Sequence, residues 1–441
     1  MLTQDQNETL TRVGRGTPMG EYFRRFWIPF LLSWELEPDG EPERVRLLGE
    51  DLVAFRDTHG SVGLIAENCP HRGASLFYGR NENDGLACIY HGWKFDTAGA
   101  CVDMPSEPDE SNFKDKLKPT AYKCVERGGI VWTYMGPKDQ DPPELPGLEW
   151  LDLPASQIVA AKRVQKTNWL QALEGEIDQS HLSFTHSRLK EGDGPGVSGR
   201  LVNLIRQQDK HPRFEVVDTD YGVCIGAGRN APDGQKYWRV SQFLAPSHIM
   251  TGPYGENPMR NWRMWVPMDD TNVMCIGLYF HPSQPFSGER REFLETRGGV
   301  WTISPDAQKP RDTSLPFGRW YSRLDLDNNF GMDRQVQRTE IYSGLTEFFA
   351  QDAAPQAGMG LIYDRRKEHL GTSDLGIIGM RRWLLRATQE LAKTGKRPEL
   401  AVHPEWYAVR SDATIIPAQE RWFPATEERR KATPGVNPDA P

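Results

Sequence analysis

Short apolar runs separated by turn-forming residues dominate the first third of the chain. The turn-forming residues cluster at positions 57–60, 81–85 and 97–99, where Gly follows Asp, Asn or Thr. The runs between such clusters are too short for helices and are rich in Val, Ile, Leu and Phe. They predict strands at 45–48, 52–55, 62–65 and 130–135. We therefore expect a small antiparallel β domain.

A proline-rich, acidic stretch at residues 137–154 follows these strands. This composition favours an extended connection over a helix. Beyond it, residues 169–181 and 375–393 have helical character, whereas 214–227, 237–244, 262–266 and 273–280 look like strands. The prediction is a first domain at 1–140, which includes an N-terminal segment, a linker at 141–155, an α+β second domain at 156–430 and a flexible tail at 431–441.

Composition and charge restrict the function. The chain has 441 residues, of which 38% are hydrophobic and 26% charged, as in folded globular proteins. A net charge of -8 gives no general attraction to nucleic acid or to an anionic membrane. No stretch approaches the roughly 20 apolar residues that span a bilayer, and the first residues lack an apolar signal core. We expect a soluble, cytoplasmic protein without nucleic-acid or membrane partners.

Two motifs that each pair a cysteine with a histidine carry the strongest chemical signal. Cys69-Pro-His71-Arg-Gly is followed by Cys88-Ile-Tyr-His91-Gly-Trp. A Rieske-type [2Fe–2S] cluster has two thiolates on one iron and two imidazoles on the other. Two loops that each supply one Cys and one His can hold such a cluster from opposite sides. The glycine after each histidine permits a tight turn.

A tetrahedral zinc site is the alternative, because two Cys and two His also suit structural zinc. The flanking residues favour the cluster, since both motifs closely resemble the Rieske pattern. A Rieske domain alone could belong to a non-catalytic electron carrier, so the residues downstream decide between carrier and enzyme. The other cysteines have no His or Cys at ligand spacing and are expected to be buried apolar residues: Cys101, Cys124, Cys224 and Cys275.

The segment 168–186 contains an Asp-x2-His-x4-His pattern made by Asp178, His181 and His186. Two histidines and one carboxylate are the ligand types of mononuclear non-haem Fe(II), which keeps positions open for dioxygen and substrate. On a helix Asp178 and His181 share a face, whereas His181 and His186 diverge by roughly 140°. We therefore expect His186 to lie beyond the helix end or on a distorted turn.

The Cys and His motifs, together with the stretch Asn-Trp-Leu-Gln-Ala-Leu-Glu-Gly at 168–175, make the chain similar to a known protein family. Over residues 17–382 the chain resembles the α-subunit of Rieske aromatic-ring-hydroxylating oxygenases. It most resembles the phthalate 4,5-dioxygenase branch, which includes chlorobenzoate dioxygenases and O-demethylases. The resemblance implies a Rieske β domain, followed by an α+β catalytic domain with an antiparallel, helix-grip (START-like) sheet.

The resemblance also implies roles for the second motif. His181 and His186 would bind the mononuclear iron. Asp178 would bridge by a hydrogen bond to a cluster histidine, His91 or His71, of a neighbouring subunit. In such proteins the cluster and the iron of one subunit lie too far apart for useful electron transfer. The resemblance therefore implies a ring of subunits, a trimer or a multiple of it.

The third iron ligand in the family is an acidic residue that opens a late helix. The best match is Asp352, in Phe-Phe-Ala-Gln-Asp at 348–352. Asp374 is the rival, but it reads equally well as the N-cap of the helix that follows it. We therefore predict Asp352 as the carboxylate ligand.

Residues 226–231 loosely match the Gly-x-Gly-x-x-Ala pattern of sites that bind a nicotinamide dinucleotide. Pro-Asp-Gly at 232–234 forms a turn before another strand, so the helix of a dinucleotide site is missing and a hairpin is expected. Electrons must then come from a separate protein, which in this branch resembles an NADH-dependent flavin and iron–sulfur reductase.

Aromatic carboxylates would be held by an arginine, whose fork donates two hydrogen bonds to a carboxylate. The candidates are Arg239 and, less favoured, Arg213. We therefore predict a terminal oxygenase that uses O2 to hydroxylate an aromatic, phthalate- or benzoate-like substrate. An O- or N-demethylating monooxygenase is the alternative outcome, and a non-catalytic Rieske electron carrier is the more remote one.

Overall fold

A computed structural model describes residues 1–108, 110–117, 119–189, 200–253 and 259–432. Its helices are α1 (Gln4–Thr11), α2 (Pro18–Phe23), α3 (Trp169–Ile177), α4 (Arg200–Gln208), α5 (Gly288–Arg297), α6 (Arg334–Thr339), α7 (Phe348–Gly358), α8 (Leu375–Thr394), α9 (Glu399–Val402) and α10 (Trp422–Ala425). No helix in these ranges is both long and apolar enough to cross a membrane.

Ten strands build the first unit: β1 (Trp27–Leu32), β2 (Glu43–Leu47), β3 (Glu50–Arg56), β4 (Val62–Ala66), β5 (Arg80–Asn81), β6 (Leu86–Ala87), β7 (Lys94–Phe95), β8 (Cys101–Asp103), β9 (Ala121–Arg127) and β10 (Ile130–Tyr134). Six of them form an antiparallel sheet in the order β1-β10-β9-β4-β3-β2. The other four form a small sheet, β5-β6-β7-β8. The first cysteine motif lies between β4 and β5, and the second lies between β6 and β7. The predicted antiparallel β domain is confirmed.

Eight strands build the second sheet: β11 (Ile158–Gln165), β12 (Arg213–Thr219), β13 (Gly222–Asn230), β14 (Gln235–Leu244), β15 (His248–Met250), β16 (Arg260–Pro267), β17 (Val273–Phe280) and β18 (Asp412–Pro417). Their order is β11-β17-β16-β15-β14-β13-β12, with β18 paired to β14, and every pair is antiparallel. The predicted α+β class is confirmed.

The strand predicted at 214–227 is wrong as a single strand. It is the hairpin of β12 and β13, which turns at Asp220 and Tyr221. Apolar residues continue on both sides of this tight turn, so the pattern conceals it. Gly222, with φ 151°, starts the return strand in a conformation that favours glycine.

The two faces of the second sheet have different neighbours. One face packs on the first unit through Trp262, whose ring centroid lies 6.0 Å from that of Trp132 on β10. Trp150, in the connection between the units, lies 4.9 Å from Trp262. The other face lies under helices. Gly379 lets α8 approach it closely, because a Cβ there would lie 2.8 Å from Val216 Cγ1. The helices that carry the candidate site cover this second face.

The N-terminal helices pack on the second unit, although the strands of the first unit follow them in the chain. Asn168 donates to Thr11 O at 3.0 Å, and Asn7 donates to Tyr363 O at 3.3 Å. Arg12 pairs with Asp270 at 3.0 Å. The flexible tail predicted at 431–441 lies, beyond residue 432, outside the described residues.

Candidate metal centres

The two cysteine loops of the first unit have the same backbone geometry. Gly73 N donates to Cys69 O at 2.9 Å, and Cys69 N donates to Ala74 O at 2.8 Å. The second loop repeats both bonds, with Gly92 N to Cys88 O at 2.9 Å and Cys88 N to Trp93 O at 2.8 Å. Both glycines have φ +77°, the left-handed conformation that glycine adopts without strain. The motifs therefore form two matching turns.

These turns bring the four predicted cluster residues together. The rings of His71 and His91 lie 4.4 Å apart between centroids, and His71 stacks on Trp93 at 4.3 Å and 13°. Cys69 and Cys88 are buried and form no disulfide. The buried Nδ1 of His71 has no hydrogen-bond partner among the described residues. An orphaned ring nitrogen beside two free thiols fits a metal cluster.

Electrostatics agree with this fit. Burial and, to a smaller extent, the nearby Cys88 raise the pKa of Cys69 to about 11. A thiol of this kind becomes a thiolate when a metal replaces its proton. The pKa of His91 is lowered by burial and by the neighbouring His71 and Arg72, which favours the neutral ring that binds metals.

The second unit brings His181, His186 and Asp352 to one point. His181 Nε2 lies 3.2 Å from His186 Nε2. Asp352 Oδ1 lies 3.4 Å from His181 Nε2 and 3.2 Å from His186 Nε2. One donor atom from each residue lies within 4.8 Å of the others, so the group could hold a metal ion. Two histidines and one carboxylate suit Fe(II).

Local structure explains how residues so spaced converge. Helix α3 ends at Ile177, earlier than predicted, and a 3-10 turn at His181–Ser183 follows. His186 lies beyond this turn, as predicted from the helical geometry. Asp352 lies one turn inside α7 and not at its first residue. Asp374 is outside the group: its side chain accepts from Gly371 N at 2.7 Å before α8.

The outer ring nitrogens of both histidines have partners. His181 Nδ1 lies 3.5 Å from Asp178 Oδ2, and Asp178 also accepts from Ser180 N at 2.6 Å. His186 Nδ1 lies 2.7 Å from Gln351 Oε1, and Gln351 in turn donates to Leu345 O at 2.7 Å. Such outer partners fix a ring so that its other nitrogen faces the metal. Gln351 was missed by the sequence analysis; its one signal is its position before Asp352.

The charges at the triad favour the ionised form of its carboxyl group. Burial raises the pKa of Asp352, but its interactions with His186 and His181 outweigh burial and leave that pKa lowered. Burial lowers the pKa of His186, yet Asp352 and Gln351 leave it raised. In Asp178, burial is likewise outweighed by hydrogen bonds from His181, so its pKa is lowered. Both carboxyl groups are therefore ionised near neutral pH.

The arginine candidates differ in place. Arg239 is 2% exposed; it donates to Gly252 O at 3.1 Å and to the side chain of Gln179, which follows Asp178 in the chain. Arg213 is exposed at the start of β12, and no hydrogen bond or ion pair among the described residues joins it to the triad. The Gly-x-Gly match lies in β13, which pairs with β14 along its length, so the predicted hairpin is confirmed.

Comparisons with known proteins found matches to both units of the chain. A family model described as LigXa C-terminal domain like matches residues 133–440, and a Rieske [2Fe-2S] domain model matches residues 26–120. The 3-chlorobenzoate-3,4-dioxygenase oxygenase subunit of Comamonas testosteroni is 38% identical over 97% of this chain and 98% of its own. The phthalate 4,5-dioxygenase oxygenase subunit of Pseudomonas putida is 40% identical over 88% of this chain and 86% of its own.

A third relative, the 5,5'-dehydrodivanillate O-demethylase oxygenase subunit of Sphingobium sp. (strain NBRC 103272 / SYK-6), is 35% identical over 91% of this chain and 84% of its own. Among solved structures, the terminal oxygenase of carbazole 1,9a-dioxygenase from Novosphingobium sp. KA1 has a TM-score of 0.55 at 20% identity. The match covers 88% of this chain and 96% of the solved chain. A reduced oxygenase–ferredoxin complex of carbazole 1,9a-dioxygenase has a TM-score of 0.54 at 18% identity. The match covers 89% of this chain and 94% of the solved chain. These structures share the fold.

The chain belongs to the family of Rieske non-haem iron oxygenase subunits. It is an oxidoreductase with a Rieske [2Fe–2S] cluster and mononuclear non-haem iron, and it uses dioxygen. The Rieske domain match favours a [2Fe–2S] cluster over structural zinc in this part of the chain.

Proposed function

We propose that Cys69, His71, Cys88 and His91 hold the [2Fe–2S] cluster, and that His181, His186 and Asp352 hold the mononuclear iron. The observation that carries this proposal is the triad, because one nitrogen or oxygen of each of its residues faces the same point. When bound, the cluster supplies single electrons and the iron supplies dioxygen activation. Asp178 and Gln351 orient the two histidines for this task.

Asp178 connects the two centres across a subunit interface. Its carboxylate is ionised and a quarter exposed, and it contacts His181. Among the described residues, Asp178 makes no hydrogen bond to either cluster histidine of its own chain. A carboxylate held in this way can accept a hydrogen bond from His91 or His71 of a neighbouring subunit. Such a bridge needs more than one subunit, and the resemblance to the family favours a homotrimer or a multiple of it.

The substrate is a carboxylated aromatic compound of the phthalate or benzoate class. Two relatives, the oxygenase subunits of a 3-chlorobenzoate and a phthalate dioxygenase, support this class. Arg239 would hold a carboxylate, since its buried guanidinium lies beside Gln179 next to the iron-binding segment. O-demethylation is the second candidate reaction, because one relative is an O-demethylase subunit. A non-catalytic carrier is disfavoured by the complete triad.

The electron donor is a separate protein. The likeness to an oxygenase whose structure was solved with ferredoxin favours such a partner. In this branch of the family the expected donor is an NADH-dependent reductase that contains flavin and an iron–sulfur centre.

Product analysis tests the proposed reaction. The holoenzyme, a surrogate reductase and NADH are incubated with benzoate, phthalate and methoxybenzoates, and the products are identified by mass spectrometry. A dihydrodiol from a benzoate or phthalate supports ring dioxygenation, and formaldehyde from a methoxybenzoate supports demethylation. NADH consumption with no oxidised product from any of these compounds would overturn the substrate class.

A further inference from the structure

A short turn of the chain packs behind the second cysteine loop. Glu107 N donates to Met104 O at 2.9 Å, which closes a turn that carries Pro105 and Ser106; we name it the backing turn. It approaches the loop closely, because a Cβ on Gly92 would lie 2.6 Å from Pro105 Cγ. The backing turn therefore forms one wall of the candidate cluster site.

The indole of Trp93 lies between the backing turn and a predicted cluster ligand. Its ring stacks on His71 at 4.3 Å between centroids and 13° between planes. Its Nε1 donates to Ser106 Oγ at 3.1 Å. Phe113 packs against the same ring at 5.9 Å between centroids. Trp93 is 2% exposed, so it separates the face of His71 that it covers from solvent.

The two predicted histidine ligands are covered unequally. The ring of His91 lies 4.0 Å from that of Tyr90 between centroids, but Tyr90 is itself 55% exposed. His71 lies against an indole that is almost fully buried, and its Nδ1 is buried as well. The position of Trp93 therefore decides how closely water can approach the cluster from the side of His71.

The bond to Ser106 holds the indole in this position. The N–H is the one polar group of an indole, and it can only donate. Ser106 is exposed, so its hydroxyl offers an acceptor where the edge of the indole meets the surface. Without this acceptor, the N–H either stays unpaired, which is unfavourable, or turns toward water and takes the ring away from His71.

Water near the cluster affects its reduction potential. With two ferric ions, two sulfides, two thiolates and two neutral imidazoles, the oxidised cluster carries no net charge, and the reduced cluster carries one negative charge. Water stabilises a charge better than an apolar ring does. A ring that covers the cluster therefore disfavours the reduced form and lowers the midpoint potential, whereas exposure to water raises it.

We propose that Ser106 is a positioning residue that holds Trp93 over His71, keeps water away from this side of the cluster and so keeps its midpoint potential low. This inference rests on the proposed function, because it assumes a cluster held by the two cysteine loops. A lower potential makes the reduced cluster a stronger electron donor to the mononuclear iron. Ser106 acts through the indole, so its effect requires Trp93.

A spectroelectrochemical redox titration of the holoenzyme tests this role. Ser106→Ala should shift the midpoint potential upward, whereas Ser106→Thr keeps the hydroxyl and should titrate at the wild-type potential. Trp93→Phe cannot donate to Ser106, so the addition of Ser106→Ala to Trp93→Phe should cause no further shift. Rieske absorption and iron content verify that each variant contains its cluster.

A second readout reports the approach of water directly. After exchange into deuterated buffer, electron spin-echo envelope modulation of the reduced cluster detects deuterons close to it. Ser106→Ala should increase this deuterium signal, and Ser106→Thr should match wild type. If Ser106→Ala lowers only the melting temperature and leaves both the potential and the deuterium signal unchanged, Ser106 has a structural role alone and the proposal is overturned.

The outcomes separate this inference from the proposed function. If the wild-type holoenzyme shows no Rieske absorption, the proposed cluster fails, and the role of Ser106 fails with it. If wild type holds the cluster and Ser106→Ala titrates at the same or a lower potential, only the role of Ser106 is overturned. An equal upward shift with and without Trp93→Phe also overturns it, since Ser106 would then act without the indole.

A matched pair of variants decides the case in which Ser106→Ala does not assemble a cluster. Ser106→Thr and Ser106→Val have the same shape and differ in the hydroxyl group that Trp93 requires as an acceptor. A higher midpoint potential in Ser106→Val than in Ser106→Thr supports the positioning role. Equal potentials in the two variants contradict it.

Discussion

His186 Nδ1 lies 2.7 Å from Gln351 Oε1, and Gln351 is the residue directly before Asp352. A single turn of α7 therefore supplies one triad residue and orients another. Gln351 is itself fixed by its bond to Leu345 O. The orientation of the His186 ring thus depends on the same helix that positions the carboxylate.

Loss of this bond should weaken iron binding. In Gln351→Leu, the His186 ring loses its partner, and we expect about 10- to 100-fold lower affinity of the mononuclear site for Fe(II). Anaerobic titration of iron into protein that retains its cluster measures this affinity. Gln351→Glu keeps an acceptor and should bind iron more tightly than Gln351→Leu. Equal affinities of Gln351→Leu and wild type would show that the bond has no positioning role.

The carboxylate assignment has a matched control. Asp352→Ala should lower the iron content from about three to about two atoms per subunit, because only the mononuclear iron is lost. The Rieske absorption should remain. Asp374→Ala, at the start of α8, should keep about three. Iron retained in Asp352→Ala and lost in Asp374→Ala would reverse the assignment.

Asp178→Asn should slow electron transfer from the cluster to the mononuclear iron. The amide cannot carry the negative charge that holds a neighbouring protonated histidine, so electrons should leave the reduced cluster far more slowly. Single-turnover oxidation of the cluster, followed by absorption with oxygen and substrate present, measures this rate. Iron content should match wild type. Oxidation at the wild-type rate would rule out the bridging role.

The pair of Lys162 and Glu35 joins the two units and has a stability consequence. Both side chains are almost fully buried, and Lys162 also donates to Phe30 O at 2.9 Å. Lys162→Met leaves a buried carboxylate unpaired and should cost about 3–5 kcal/mol. Urea unfolding followed by tryptophan fluorescence compares the variants.

Two control variants make this stability test specific. The double variant with Glu35→Gln should recover part of the loss, because no charge remains unpaired. Lys123→Met, which breaks an exposed pair with Asp141, should change stability by about 1 kcal/mol or less. A loss in Lys162→Met no larger than that of Lys123→Met would contradict the account.

Local patterns were sufficient for much of the fold. The strand predicted at 273–280 matches β17, because an unbroken apolar run between turns has few alternatives. The break in 214–227 was missed, since the turn between β12 and β13 carries no proline and apolar residues flank it. The end of α3 at Ile177 was also missed, because the turn after it depends on bonds to Asp178.

Long-range contacts explain what the sequence could not predict at the site. The paired Cys and His motifs predict their own cluster because each loop is local. Gln351 has no motif, since its importance comes from His186, a partner far away in the chain. The packing of α3 against α7 brings the two residues together at the candidate iron site.

Anomalous diffraction at the iron absorption edge, from crystals of the iron-loaded protein, tests the central claim most directly. The account predicts one peak between the Cys69 and Cys88 loops and a second peak between His181, His186 and Asp352. Iron at the loops with no peak at the triad, or a second iron peak bound by other residues, would contradict it.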